Sequence, residues 1–271
     1  MTALQAALLG VVQGLTEFLP ISSSAHLLLV RAITGWQPEH NVALAFDVAC
    51  HVGTLFSVLF YFRLELSDLL RVAFRPSCWF DDRNAAAVML RSIFLGTIPI
   101  LIVGLVAGDL ILSTFRTVSV TGIALGVGGI AMFVAERYGR GERVENSLSY
   151  WEAVGLGFAQ ALALAPGVSR SGAVLTLAML FGFRRERAAR FAFLLGIPAI
   201  IASAAKTTLD SFNAGMTGDT GVLFVVGIVS SAVVGYLTVK YFIKYVSRYS
   251  LNVFAVYRIF VAMAILFWVS V

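Results

Sequence analysis

The segment QGLTEFLPISSSAH brings a carboxylate, three serine hydroxyls and an imidazole into ten consecutive positions, Glu17 to His26, of an otherwise apolar chain. Gln13 and Glu17 are four residues apart and share one helix face. Glu17 is there a candidate general base or metal ligand, and Gln13 a group that positions it. Ser22, Ser23 and Ser24 follow Pro20, where hydroxyls and free N–H groups cap a new helix. A helix start also suits an anion, so a phosphate could bind there, with Ser22 and Ser24 as contacts and Ser23 as nucleophile. His26, about one turn beyond, could take the serine proton or return one to a leaving oxygen. A second segment, PGVSRSG, sets Arg170 between Ser169 and Ser171, which are candidate substrate contacts like Ser22 and Ser24. The planar fork of an arginine matches phosphate oxygens and offsets charge in phosphoryl transfer. Plainer readings exist for each residue. Gln13 and Glu17 could satisfy broken backbone, capping accounts for one serine of the three, and a lone membrane histidine is often structural. Together, ionisable groups inside a membrane mark a site for an anion that reacts.

The elements that hold these residues follow from composition. Of 271 residues 59% are apolar and 13% charged, against roughly a quarter charged in a soluble domain. The mean hydropathy is +0.89. One all-α integral membrane domain over 1–271 is expected. Apolar runs at about 43 to 62, 92 to 111, 118 to 135, 191 to 208, 222 to 240 and 252 to 270 are each long enough to cross a hydrocarbon core of about 30 Å. Segments 3 to 34 and 150 to 182 differ, because a Pro and small polar residues cut each near its middle. Half of such a segment is about 22 Å of helix, too short to cross. Two re-entrant helix-break-helix hairpins are therefore expected, with their irregular backbone lining a protein cavity.

Arginine and lysine set the orientation. Arg63, Arg71, Arg75, Arg83 and Arg91 follow the first span; Arg137, Arg140 and Arg143 precede the second hairpin; Arg184, Arg185, Arg187 and Arg190 follow it; Lys240, Lys244 and Arg248 follow the fifth span. These loops are expected to be cytoplasmic. The opposite face keeps Arg31, Arg116 and Lys206 and is expected to hold the N-terminus. The net charge of +5 is a topology signal, and nucleic acid is not an expected partner. A cleaved signal peptide is not expected either, since the N-terminus lacks a basic region and Gln13 and Glu17 interrupt its apolar run. Cys50 and Cys78 make no disulfide framework.

A shift of 147 positions lays the segment from Gln5 over the segment from Glu152. Gly10 then meets Gly157, Gln13 meets Gln160, Ser22 meets Ser169 and Ser24 meets Ser171. Thr2 with Gln5 and Ser149 with Glu152 both read as capping boxes. A weaker echo pairs Gly96 and Gly104 with Gly227 and Gly235. The repeats run over about 1–136 and about 148–271, each a hairpin plus three spans. An odd number of spans inverts the second copy, so the hairpin tips should meet near mid-membrane. Where the first copy has Glu17, Ser23 and His26, the second has Leu164, Arg170 and Ala173.

Asp47 and His51, again four apart, are read either as a structural pair or as a second layer around the site. Arg258 is read as a structural partner for a buried acid such as Asp47. No Cys/His zinc spacing or nucleotide-binding glycine signature is present. The rival class is an inverted-repeat transporter or flippase of a lipid-linked or other anionic substrate, although transport needs no nucleophile beside a base.

QGLTEFLPISSSAH and PGVSRSG closely resemble the two signature regions of the undecaprenyl-diphosphate phosphatase family, also called the bacitracin-resistance protein family. The resemblance runs along the whole chain. It implies hydrolysis of a C55 isoprenyl diphosphate to the monophosphate outside the bacterial cytoplasmic membrane, recycling the carrier for peptidoglycan synthesis. It also implies Gln13 and Glu17 as the (Glu or Gln)-x-x-x-Glu element, Ser23 as proposed nucleophile, His26 as motif histidine and Arg170 as phosphate-binding arginine. A divalent cation, Mg2+ or Ca2+, enters by the same resemblance, with Glu17 as a ligand. The expected partners are the lipid diphosphate and membrane lipids, and a homodimer is left open. Ser24 and Ala25 stand where Thr and Gly are familiar, and Val174 stands where the second motif commonly ends in Thr. Attack by Ser23 and attack by a water activated by Glu17 both fit these residues.

Overall fold

The computed structural model describes residues 1–36, 40–143, 147–213 and 221–270. Eleven α-helices make up the described architecture. The first half of the chain holds α1 (Ala3–Thr16), α2 (Ser23–Thr34), α3 (His40–Tyr61), α4 (Arg63–Ala73), α5 (Ala85–Phe115) and α6 (Val118–Tyr138). The second holds α7 (Tyr150–Leu162), α8 (Arg170–Leu180), α9 (Arg185–Asn213), α10 (Gly221–Val246) and α11 (Asn252–Ser270). Six of these, α3, α5, α6, α9, α10 and α11, are long and apolar enough to cross a membrane, so the chain is a multi-pass membrane protein. They coincide with the six expected spans. The amphipathic α4, which joins α3 to the basic loop before α5, was not among the expected elements.

Helices α1 and α7 start as expected. The Gln5 amide donates to Thr2 Oγ1 at 3.3 Å and the Thr2 amide returns a bond to Gln5 Oε1 at 2.7 Å. Ser149 and Glu152 repeat this at 3.3 and 2.9 Å. Both helices stop short. Thr16 ends α1 and Leu162 ends α7, after about 20 Å of helix each. The chain then turns and restarts as α2 and α8. At the restart stand Ser22 (φ 73°) and Ser169 (φ 68°), the described non-glycine residues with positive φ. An L side chain is unfavourable there, yet the strain falls on the two serines that the repeat superimposes.

The two halves of the chain interlock through their short helices. α1 packs on α10 and α7 packs on α5. A Cβ on Gly10 would collide with Ser230 and Gly227, and one on Gly157 would collide with the Gly96 backbone. Gly10 and Gly157, paired by the shift, and Gly227 and Gly96, paired by the weaker echo, thus perform the same close approach twice. Gly104, in contrast, has nothing within 4 Å of a built Cβ.

Arg31 and Arg116 do not stand free on their face of the molecule. Asp47 accepts two bonds from Arg31, at 2.9 and 2.6 Å, and a longer one from Arg116 at 3.4 Å. At the other end Arg143 donates to both oxygens of Glu152 (2.6 and 3.1 Å) and to the Phe181 carbonyl (2.8 Å), closing the mouth of the second hairpin. Hydrogen bonding to Arg143, with smaller help from Ser149, holds the Glu152 carboxyl down at about 2. Both cysteines are free thiols.

Candidate active site

Glu17 lies at the first break with only 7% of its surface exposed. A buried carboxylate must have its oxygens satisfied, and the groups that do so come from three directions. From its own hairpin, the Ser23 hydroxyl donates to Oε2 at 2.7 Å and Gln13 Nε2 donates at 2.9 Å. From α3, His51 Nδ1 lies 3.3 Å from the same oxygen and 2.9 Å from Gln13 Nε2. From the other hairpin, Arg170 Nη2 donates to Oε1. Arg170 also reaches the Gly196 carbonyl at 3.3 Å, and a Cβ on Gly196 would come within 3.3 Å of the guanidinium carbon. A glycine at that point of α9 leaves the fork its space.

The breaks touch through backbone as well. Ser171 Oγ donates to the Glu17 carbonyl at 3.1 Å. Ser169 Oγ accepts from the Gly172 amide at 3.2 Å and so caps α8. Ser22, its counterpart, caps α2 with no side-chain bond to the helix; its Oγ lies 3.2 Å from that of the exposed Ser24. The Ser22 side chain therefore does not cap the first amides of α2 as Ser169 caps α8.

His26 is turned elsewhere. Its Nδ1 lies 2.8 Å from the Ser22 carbonyl and its Nε2 lies 2.8 Å from the Tyr257 hydroxyl of α11. Among the described residues no hydrogen bond joins it to Ser23 or Glu17, so the group in contact with the Ser23 proton is Glu17.

Arg258 has no carboxylate partner in the ion pairs of the described residues. It is 1% exposed and donates to Pro20 (3.0 Å), Gly167 (3.2 Å), Val168 (3.0 Å), Ala124 (3.3 Å) and Leu125 (3.2 Å) carbonyls. These belong to the first break, the second break and α6. The expected pairing with a buried acid such as Asp47 is thus replaced by a staple between the two breaks. Backbone that has left its helix must find donors, and a guanidinium with five N–H groups supplies them. Gly128 makes room, since a Cβ there would overlap the guanidinium.

Gln13, Glu17, Ser23, His51, Arg170 and Ser171 thus share one polar cluster. Ser22 and Ser24 flank it, and Ser169 adjoins Ser171 at 3.4 Å. Asp47 lies outside it, held by Arg31 and Arg116. Val174 is fully buried in the apolar core and Thr176 is buried one turn further along α8 than Gly172. Tyr257 and the clamping role of Arg258 were not legible in the sequence: a tyrosine in an apolar span has an ordinary interfacial reading, and backbone acceptors leave no residue-type signature.

Residues 6–264 match the family described as bacitracin resistance protein BacA. An undecaprenyl-diphosphatase of Rubrobacter xylanophilus is 45% identical over 257 residues, covering 94% of both chains. That of Thermomicrobium roseum is 40% identical over 278 aligned positions, covering 100% of this chain and 99% of its own. That of Alcanivorax borkumensis is 39% identical, with 98% of each chain covered. Full-length likeness at this level, and both signature segments gathered in one buried cluster, place the chain in the bacitracin resistance protein BacA family.

Proposed function

We propose that this protein hydrolyses undecaprenyl diphosphate to undecaprenyl phosphate and inorganic phosphate at the external face of a bacterial cytoplasmic membrane. One observation carries the reading: Glu17 accepts the Ser23 proton from its own hairpin and an arginine from the opposite one. A hydroxyl on a carboxylate base, beside a cation suited to phosphate, is the arrangement that phosphoryl transfer to serine requires. The names of the relatives support the lipid diphosphate as substrate.

The hairpins are read as re-entrant from opposite faces, in an inverted repeat. Their short halves, the repeated glycine contacts and the matched serines at the breaks support this. The basic loops support a cytoplasmic face opposite to the Arg31 and Asp47 end. The diphosphate then enters from outside while the prenyl chain stays in lipid.

A divalent cation is tested by the donors present. Among the described residues no three His, Cys, Asp or Glu side chains form a group that could hold a metal. Yet Gln13 Oε1 is buried and has no partner, next to the carboxylate of Glu17 and the hydroxyl of Ser23. An all-oxygen set with a single carboxylate fits a hard cation shared with substrate phosphates. Glu17 and Gln13 would hold it, and when bound it would offset phosphate charge.

The chain's own groups account for the transfers. Diphosphate oxygens draw Arg170 and the amides at the start of α2, which frees Glu17 to accept a proton. Ser23 Oγ attacks the terminal phosphorus, its proton passes to Glu17, and the bond to the bridging oxygen breaks to release prenyl phosphate. A water then attacks the phosphoserine, its proton ends on His26, and Ser23 leaves with the proton held by Glu17. Phosphate release from a prenyl diphosphate in detergent micelles tests the reading, since micelles have no compartments and transport alone releases none. Wild type should release phosphate, and folded Ser23→Ala and Arg170→Ala variants should lose it. Near-normal release by either variant would refute the site.

A further inference from the structure

The Ser22 carbonyl can only accept, so the 2.8 Å contact makes His26 Nδ1 the donor. In the neutral ring Nε2 then holds the lone pair, the atom a base must offer. That lone pair does not face open space. The Tyr257 hydroxyl lies 2.8 Å from it, with the two rings 12° from parallel and their centroids 5.7 Å apart. Tyr257 is 40% exposed, and a phenol that donates its proton keeps lone pairs with which to accept another. Its position is not incidental to α11. The next residue, Arg258, fastens that turn of the helix to the carbonyls of Pro20, Gly167 and Val168, one from the first break and two from the second. Ser22, whose carbonyl sets the other side of the ring, is the positive-φ residue of the first break. Both ring nitrogens of the imidazole are therefore held by groups anchored at the two breaks.

We propose that Tyr257 is a further catalytic residue, relaying the proton of the hydrolytic water to His26. As the water oxygen bonds to phosphorus and the bond from phosphorus to Ser23 Oγ breaks, a water proton passes to the phenol oxygen. The phenol proton passes at the same time to His26 Nε2, so Tyr257 ends neutral and His26 charged. Formation of the phosphoserine uses Glu17 and does not involve Tyr257. The inference rests on the phosphatase reading above and adds a residue to its second half.

The test compares wild type with Tyr257→Phe, His26→Ala and the double variant in detergent micelles. The readouts are kcat, KM, the steady-state fraction of phosphoserine and thermal stability. Tyr257→Phe should fold, lose roughly tenfold or more in kcat with KM within about threefold, and accumulate phosphoserine. It should add little to His26→Ala, because both remove one relay. A residue with only a packing role would instead give additive losses and no phosphoserine build-up. A second measurement does not depend on turnover. The chain has three histidines, so in 15N-histidine-labelled protein the His26 Nε2 resonance can be identified by its loss in His26→Ala. It should move in Tyr257→Phe. An active wild type with Tyr257→Phe within twofold in kcat, losses additive with His26→Ala, or an unmoved Nε2 resonance would overturn the relay alone. A wild type that releases no phosphate from any diphosphate would overturn the phosphatase reading and the relay with it.

Discussion

Ser23 donates its hydroxyl proton to Glu17 Oε2 at 2.7 Å, across the six-residue interval in which α1 ends, the chain reverses and α2 begins. The break exists in order to bring these two side chains together: on a continuous helix a separation of six would put them on different faces. The same carboxylate receives Arg170 from the other hairpin, so one residue joins the proposed nucleophile and the proposed anion-binding cation.

Glu17→Gln keeps the shape and removes the base. It should lower kcat by about 10² to 10⁴ while leaving the protein folded, measured by phosphate release and circular dichroism. Arg170→Lys should not rescue Arg170→Ala, because a point charge lacks the fork that spans Glu17 and Gly196. Activity within threefold of wild type in either case would contradict the assigned roles.

Gln13 supplies a buried oxygen with no partner. If it shares a cation with Glu17, chelator should suppress phosphate release and added Mg2+ restore it. Gln13→Leu should then raise the Mg2+ concentration needed for half-maximal rate by roughly tenfold or more, the loss of about one ligand at 1.4 kcal/mol per decade. An unchanged Mg2+ titration curve would remove Gln13 from the cation's shell.

Arg258 satisfies backbone oxygens on both breaks and α6. Arg258→Met should strand several buried carbonyls, each costing about 1 to 3 kcal/mol and not simply additive. A lower melting temperature and poor recovery from the membrane are expected, with Arg258→Lys intermediate. A fully stable Arg258→Met variant would contradict the clamp.

Glu152 is held at about 2 by Arg143, below the ordinary 4.5. A carboxyl depressed on folding stabilises the fold fully above about 4.5, and this contribution is lost as pH falls toward 2. The melting-temperature gap between wild type and Glu152→Gln should therefore shrink from pH 7 to pH 3. The effect should be small, because the pair is partly exposed and screened. A gap that is independent of pH would contradict it.

Much of this architecture was written in local patterns. Two capping boxes announced α1 and α7, Pro20 and the serines announced the first break, and runs of apolar residues announced six spans. The shift that superimposes Ser22 on Ser169 also pointed to the meeting of Glu17 with Arg170, since it placed both at equivalent breaks. What stayed hidden depended on contacts remote in sequence. Tyr257 meets His26 across 231 positions and Arg258 meets Pro20 across 238, and neither pairing leaves a spacing to read. Asp47 took its partners from Arg31 and Arg116, which the positive-inside count treats only as charges on a face. The short α4 was masked by the arginines that made its segment read as a loop.

In the proposed mechanism Ser23, activated by Glu17, takes the phosphoryl group. Rapid quenching of wild type with prenyl diphosphate labelled in its terminal phosphate tests it most directly. Acid-stable label is expected on Ser23 within the first turnover and absent from Ser23→Ala. Turnover by Ser23→Ala at near wild-type rate, or a wild-type burst of free phosphate with no label on Ser23, would contradict it.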